Sequence, residues 1–94
     1  MPAWFYILRL KSGILYPAAT ADLQRRYREH LAGVGCRTTK LDPPAALAYS
    51  EEHPTFTDAR RRETQVKKWS RVKKEALAAG DKAALKTLSQ RRNQ

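Results

Sequence analysis

Apolar residues dominate the first strand-length segment of the chain. Residues 3–10 are rich in aromatic and branched side chains, which favour extended structure. A polar turn at residues 11–13 interrupts this run, and residues 14–16 resume it. This order predicts a β-hairpin. Pro17 is expected to end the second strand, because proline has no N–H to donate to a sheet.

A helix and a long loop are predicted next. Thr20 or Asp22 can cap a helix that covers about residues 21–31. Residues 33–44 contain glycine, threonine and proline, and they predict a loop. Such a loop is about as long as a compact domain tolerates without a function, so it is a candidate binding loop.

A third strand and a second helix follow. Residues 45–49 predict the strand, and the polar residues 50–54 are expected to end it. Thr57 can serve as the N-cap of a helix that extends to about Trp69. Asp58 would lie in the first turn of this helix, where a negative charge is favourable.

Two further helices are predicted at the end of the chain. Ser70 can cap a helix that extends through Ala79, and Gly80 is placed to end it. Asp81 can cap a short last helix that reaches about residue 90. The predicted order is therefore strand, strand, helix, strand, and then helices.

Polar side chains fall on the inward face of the first predicted helix. At 100° per residue, Leu23, Tyr27, His30 and Leu31 share one arc, and Arg26 borders it. A surface helix buries its apolar stripe, so a histidine within the stripe needs an explanation. Two interpretations are open: a core histidine with satisfied hydrogen bonds beside a solvated arginine, or part of a functional site.

A carboxylate has the same unusual position on the second predicted helix. Phe56, Ala59, Val66 and Trp69 define an apolar face, and Glu63 lies in its middle. A carboxylate is almost never fully buried unless it is paired or bound to a cation. A buried ion pair and a metal ligand are both consistent with this pattern.

Length and cysteine content narrow the class of protein. The chain fits one domain over residues 1–94, with a core in residues 3–80 and a helical tail in residues 81–94. Cys36 is the only cysteine, which excludes an internal disulfide framework and a multi-cysteine zinc site. Apolar runs are too short for a membrane span, so a cytoplasmic protein without a membrane partner is expected. The exposed apolar residues are too few to predict a dimer surface.

The net charge favours a polyanionic partner. The 94 residues include 19 Lys and Arg against 9 Asp and Glu, a formal net charge of +10. Residues 60–74 contain eight of these cations, with Glu63 as the only acid before Glu75. So many cations would repel one another without a counter-charge, and nucleic acid is favoured over an acidic protein or a membrane surface.

Several short segments, in a fixed order, resemble a known nuclease family. They are Phe5-Tyr6-Ile7-Leu8-Arg9, Gly13-Ile14-Leu15-Tyr16, and residues 22–30, 47–52 and 59–70. In order and spacing they resemble the GIY-YIG nuclease superfamily, and most of all its small stand-alone bacterial members. The resemblance covers about residues 3–80. It implies an α+β fold in the order β-β-α-β-α-α, with a short C-terminal helix and a three-stranded antiparallel sheet flanked by helices.

The same resemblance assigns five catalytic residues. Tyr6 and Tyr16 match the two motif tyrosines, Arg26 matches the arginine of the first helix, and His30 matches the histidine one turn later. Glu63 matches the metal-binding glutamate, so one Mg²⁺ or Mn²⁺ ion is the implied cofactor. Tyr6 would act as general base or position water, Tyr16 would orient water or phosphate, and His30 would relay a proton. Arg26 would bind phosphate oxygens.

The implied reaction is endonucleolytic hydrolysis of phosphodiester bonds in DNA. Branched or damaged DNA and a role in repair are further expectations, and RNA stays an alternative substrate. Phosphate contacts position a nucleic acid without specifying its sequence. The residues expected to make them are Arg37, Lys40, Arg60, Arg62, Lys67, Lys68 and Arg71.

The second motif departs from the family pattern after its tyrosine. The family has a glycine two residues later, whereas this chain reads Tyr16-Pro17-Ala18. If the backbone at residue 18 requires a positive φ, a Cβ there costs about 1 kcal/mol or more. Two functions are therefore considered: a competent endonuclease, or a catalytically weak nucleic-acid-binding module of the same fold.

Overall fold

Three strands form one antiparallel sheet in the order β2-β1-β3. The computed structural model describes residues 1–81, and the predicted last helix after Asp81 lies outside them. The elements are β1 (Ala3–Leu10), β2 (Leu15–Thr20), α1 (Leu23–Leu31), α2 (Arg37–Leu41), β3 (Pro44–His53), α3 (Phe56–Lys67) and α4 (Arg71–Ala78). The α+β class and the three-stranded antiparallel sheet are confirmed.

The central strand β1 has one hydrophobic core on each of its faces, because side chains alternate along a strand. Tyr6 pairs with Ala18 on β2 and with Ser50 on β3, at the middle of the sheet. One core contains Tyr6, Leu8 and Leu10, with Tyr16, Ala18, Leu23 and Tyr27 packed against them. The other contains Phe5, Ile7, Leu15, Val66 and Leu77, with Ala48, Tyr49 and Trp69 packed against them. Tyr6 therefore belongs to the core that α1 covers.

The prediction that Pro17 ends β2 is wrong. Pro17 pairs with Ile7 inside the strand, which continues to Thr20. β2 lies at the edge of the sheet, where every second N–H points away from the neighbouring strand, so a proline is tolerated. Ala18 also lies inside β2, and no non-glycine residue in the described part of the chain has a positive φ. The missing motif glycine therefore causes no backbone strain.

Two other boundaries differ from the sequence prediction. The segment predicted as a loop contains the short helix α2, so the element order is β-β-α-α-β-α-α over the described residues. β3 extends to His53, because its polar end pairs with the start of β1.

Helix caps explain the remaining boundaries. Asp22 caps α1 by accepting a hydrogen bond from the Arg25 N–H, as one of the two predicted alternatives. α3 is capped by Thr55 and not by Thr57. Ser70 caps α4 as predicted, and Gly80 follows its end with φ +71°. Among the described residues, no helix has the length and apolar character needed to cross a membrane.

Candidate active site

A buried hydrogen bond joins β1 to α1. The Tyr6 hydroxyl oxygen lies 2.8 Å from Nε2 of His30, and both side chains are buried. His30 thus has the inward position that helical spacing predicts, whereas Leu31, predicted on the same arc, is 54% exposed. The imidazole is satisfied within the core, and its partner is the first motif tyrosine.

Arg26 provides positive charge beside this pair. Its Nη1 lies 3.0 Å from Oε1 of Glu29. Burial raises the pKa of Tyr6 to about 12, although the Arg26 guanidinium acts in the opposite direction. Burial lowers the pKa of His30, and the Arg26 charge lowers it further. At neutral pH, Tyr6 is therefore a protonated phenol and His30 a neutral imidazole.

Tyr16 lies on the other side of the His30 ring. The two ring centroids are 6.0 Å apart, in an edge-on arrangement. The Tyr16 hydroxyl oxygen is 3.3 Å from Sγ of Cys36, and burial together with this thiol raises the pKa of Tyr16. Both motif tyrosines thus flank His30.

The sequence interpretation missed two side chains in the segment that contains α2. The buried Thr39 Oγ1 lies 2.9 Å from Nδ1 of His30 and 3.4 Å from Sγ of Cys36. Side-chain hydrogen bonds therefore connect Tyr6 to Tyr16 in the order Tyr6, His30, Thr39, Cys36 and Tyr16. The buried position of Thr39 depends on the turn of α2, which the sequence pattern does not reveal.

Glu63 lies on α3 with only 14% of its side chain exposed. Its Oε2 is 2.7 Å from Nζ of Lys67, and its Oε1 is 3.9 Å from Nε of Arg60. The negative charge of Glu63 contributes to the raised pKa of Tyr6, so the carboxylate lies within electrostatic range of the phenol. The structure therefore contains an ion pair at Glu63, which is one of the two interpretations of its position, and this pair lies within electrostatic range of Tyr6.

Comparisons with known proteins agree with this arrangement. A family model described as the GIY-YIG catalytic domain matches residues 2–76. The chain belongs to the GIY-YIG family. This is a family of nuclease-type hydrolases, which act on nucleic acid in general and typically use divalent metal ions.

Several relatives of this chain are small proteins of similar length. A UPF0213 protein of Halobacterium salinarum is 39% identical over 72 residues, which cover 77% of this chain and 94% of that protein. A UPF0213 protein of Xanthomonas axonopodis pv. citri is 36% identical over 73 residues, covering 78% and 72%. A solution NMR structure of a UPF0213 protein from Bacillus halodurans superimposes with a TM-score of 0.56, at 36% identity and 86% coverage of both chains.

The donor set at Glu63 fits a magnesium-type ion. No group of three or more His, Cys, Asp or Glu side chains suited to a metal occurs within residues 1–81. A single carboxylate matches the way Mg²⁺ is often held, by one or two carboxylates with water completing the shell. Lys67 already places a positive charge on Oε2, and its side chain is 56% exposed, so it has room to move away. Glu63 would hold the ion.

The predicted phosphate contacts of this GIY-YIG domain fall into two groups. Arg37, Lys40, Arg60, Lys68 and Arg71 are exposed. Arg62 instead lies 3.3 Å from Oε2 of Glu51 and stacks on the Trp69 ring at 5.0 Å. Lys67 is paired with Glu63. The exposed group can reach a polyanion, although Arg60 also lies near Glu63 and Arg71 donates to the Gly13 carbonyl oxygen. Arg62 and Lys67 form the second group, which is engaged within the fold.

We expect Arg62→Ala to lower the free energy of unfolding by about 1–2 kcal/mol, because it removes a half-buried ion pair and a cation–π contact. Urea denaturation measures this change. Lys68→Ala, which removes an exposed cation one residue beyond α3, should stay within about 0.5 kcal/mol of the wild type. Equal stabilities for the two variants would contradict the structural role of Arg62.

We expect Gly35→Ala to disturb His30. A Cβ at Gly35 would lie 2.7 Å from Nδ1 of His30 and 3.1 Å from its backbone nitrogen. Crowding of this kind costs about 1–3 kcal/mol and should displace the imidazole signals in NMR spectra. In Gly80→Ala the new Cβ meets open space, so only the strain of φ +71° remains, at about 1 kcal/mol. Unchanged His30 signals in Gly35→Ala would refute the predicted crowding.

Proposed function

We propose that this GIY-YIG domain is a metal-dependent endonuclease that hydrolyses phosphodiester bonds in DNA. The observation that carries the proposal is the buried Tyr6–His30 hydrogen bond, with Arg26 and Glu63 within electrostatic range of the phenol. A phosphodiester needs an activated water, positive charge for its oxygens, and stabilisation of the leaving oxygen. The cluster offers a residue for each of these requirements.

Tyr6 activates the attacking water, and His30 accepts the phenol proton of Tyr6. A phenol with a pKa of about 12 is ionised in roughly one molecule in 10⁵ at pH 7, so Tyr6 alone is a poor base. Transfer of the phenol proton to Nε2 while Tyr6 takes a proton from water avoids a free tyrosinate. The hydroxide forms the new P–O bond as the P–O bond to the leaving oxygen breaks. That oxygen gains a proton from solvent, and His30 returns one to solvent.

Arg26 and Glu63 supply the charge. The guanidinium can form two parallel hydrogen bonds to non-bridging phosphate oxygens, as arginine commonly does. Glu63 would hold one Mg²⁺ or Mn²⁺ ion. When bound, such an ion stabilises negative charge on the phosphate and the leaving oxygen. Tyr16, edge-on to His30, orients the phosphate or water through its hydroxyl group.

Exposed cations bind the rest of the nucleic acid. Arg60 and Lys68 flank Glu63 in the sequence, and Arg37 and Lys40 lie on α2, the element that carries Thr39. Neutralised phosphates release counterions, so binding should weaken with salt by a log–log slope of about −0.9 per contact on duplex DNA. These contacts favour no base sequence.

A non-catalytic nucleic-acid-binding module is the second candidate. The Lys67–Glu63 pair at 2.7 Å favours it, because an ammonium group occupies the carboxylate oxygen that a metal would need. The Pro17-Ala18 departure gives it no support, since Ala18 has ordinary strand geometry.

Cleavage assays with the full chain separate these candidates. Plasmid, flap and branched DNA are incubated with Mg²⁺, Mn²⁺ or EDTA, alongside an RNA of matched sequence. The endonuclease predicts metal-dependent nicking of DNA that is lost in Arg26→Ala. Salt-dependent binding without cleavage under either metal would favour the binding module, and cleavage that survives Arg26→Ala would contradict the assigned site.

A further inference from the structure

Both nitrogens of the His30 ring have side-chain partners. Nε2 faces Tyr6 at 2.8 Å, and Nδ1 faces Oγ1 of Thr39 at 2.9 Å. Thr39 lies on α2 and is fully buried. A neutral imidazole has one N–H donor and one acceptor nitrogen. If Nδ1 donates a hydrogen bond to Thr39, Nε2 can only accept one from Tyr6, and if Nδ1 accepts, Nε2 must donate.

The Thr39 hydroxyl group decides that direction. Oγ1 of Thr39 contacts Nδ1 at 2.9 Å, Sγ of Cys36 at 3.4 Å and the Cys36 backbone oxygen at 3.3 Å, and of these three partners only the carbonyl oxygen is unable to donate. We therefore assign the single hydroxyl hydrogen of Thr39 to that oxygen. Its oxygen is then an acceptor toward the His30 ring. Nδ1 therefore carries the imidazole hydrogen, and Nε2 presents its lone pair to the Tyr6 hydroxyl.

We propose that Thr39 is a positioning residue that holds His30 in the Nδ1–H tautomer, so that Nε2 can accept the Tyr6 proton. This inference rests on the proposed function, in which Tyr6 activates water. In the opposite tautomer, Nε2–H would donate to the Tyr6 oxygen, and His30 would offer the phenol no acceptor. Thr39 is fully buried against His30, so it acts through His30 and not on the reacting atoms.

NMR spectroscopy can observe the tautomer directly. Long-range ¹H–¹⁵N spectra of the ¹⁵N-labelled full chain, recorded above the pKa of His30, distinguish a protonated from an unprotonated ring nitrogen. The chain has two histidines, so a His53→Gln background leaves His30 as the single imidazole. Thr39→Val removes the hydroxyl group, Thr39→Ala does so with less bulk if valine blocks folding, and Thr39→Ser retains it. Thr38→Val is the control, because Thr38 is an exposed neighbour on the same helix.

The wild type, Thr39→Ser and Thr38→Val should show hydrogen on Nδ1. The hydroxyl-free variants should move it toward Nε2 and lower kcat by about 10–100-fold, as loss of an orienting partner commonly does, without changing KM for DNA. A wild-type Nε2–H tautomer, or an unchanged tautomer in the folded hydroxyl-free variants, would overturn the proposal. The predicted tautomers in a chain that cleaves no nucleic acid would support the role of Thr39 and refute the endonuclease.

Discussion

Glu63→Gln should lower metal-dependent cleavage by about 10³-fold or more, while DNA binding at low salt is retained. The amide keeps the size of the side chain but removes the charge that would hold the divalent ion. The folded state should change little, because the lost Lys67 contact is an i,i+4 pair worth about 0.3–0.5 kcal/mol. Cleavage rates across a Mn²⁺ titration, together with urea denaturation, measure both effects.

A carboxylate elsewhere on α3 provides the matched control. Asp58→Asn makes the same chemical change in the first turn of the helix, at a side chain that is 41% exposed. It should cleave at nearly the wild-type rate. If Glu63→Gln and Asp58→Asn cleave equally well, Glu63 is a structural ion-pair residue and the metal site lies elsewhere.

Tyr6→Phe has the second largest expected effect. Removal of the hydroxyl group should lower kcat by about 10²–10⁴-fold, the usual contribution of general acid–base catalysis. It also leaves Nε2 of His30 without its buried partner, at a cost of about 1–3 kcal/mol in the free energy of unfolding. Tyr27→Phe is the control, because Tyr27 packs against the same core. Single-turnover cleavage rates with excess protein test the difference, and comparable rates for the two variants would remove Tyr6 from the mechanism.

The pH profile of the wild type tests the same step. Burial and the Arg26 charge lower the pKa of His30, so the imidazole stays neutral to below pH 6.5. Only the neutral ring can accept the Tyr6 proton, so cleavage should fall on the acid side of that lowered pKa. A loss of activity centred above pH 6.5 would contradict His30 as the acceptor.

Local patterns in the sequence were sufficient for most of the secondary structure. Hydrophobic alternation and cap residues report on each segment separately, which is why β1, the inward position of His30 and the Ser70 cap were predicted correctly. Pro17 was misjudged because its fit depends on the rest of the sheet, and Thr57 was misjudged because another local cap residue was available. Whether a proline fits a strand depends on whether that strand lies at a sheet edge, and Thr55 was overlooked as a competing cap two residues earlier.

The five candidate catalytic residues could be named from the sequence because motif order survives in the chain. The contacts that these residues make with one another could not be predicted from the sequence. Tyr6 and His30 are 24 residues apart, and their 2.8 Å contact requires both the register of β1 and the packing of α1. Thr39 could not be identified from the sequence either, because an ordinary polar residue in a predicted loop belongs to no periodic pattern.

By itself, the sequence determined the number and order of the strands, most helices, the basic character of the chain and the motif residues of a GIY-YIG domain. Each of these depends on composition or on spacing within one segment. Only the tertiary structure decided that Tyr6 bonds to His30, that Arg62 is engaged with Glu51, and that Thr39 bonds to His30. Hydrogen bonds and ion pairs depend on distances of about 3 Å, which are set by how whole elements pack against one another.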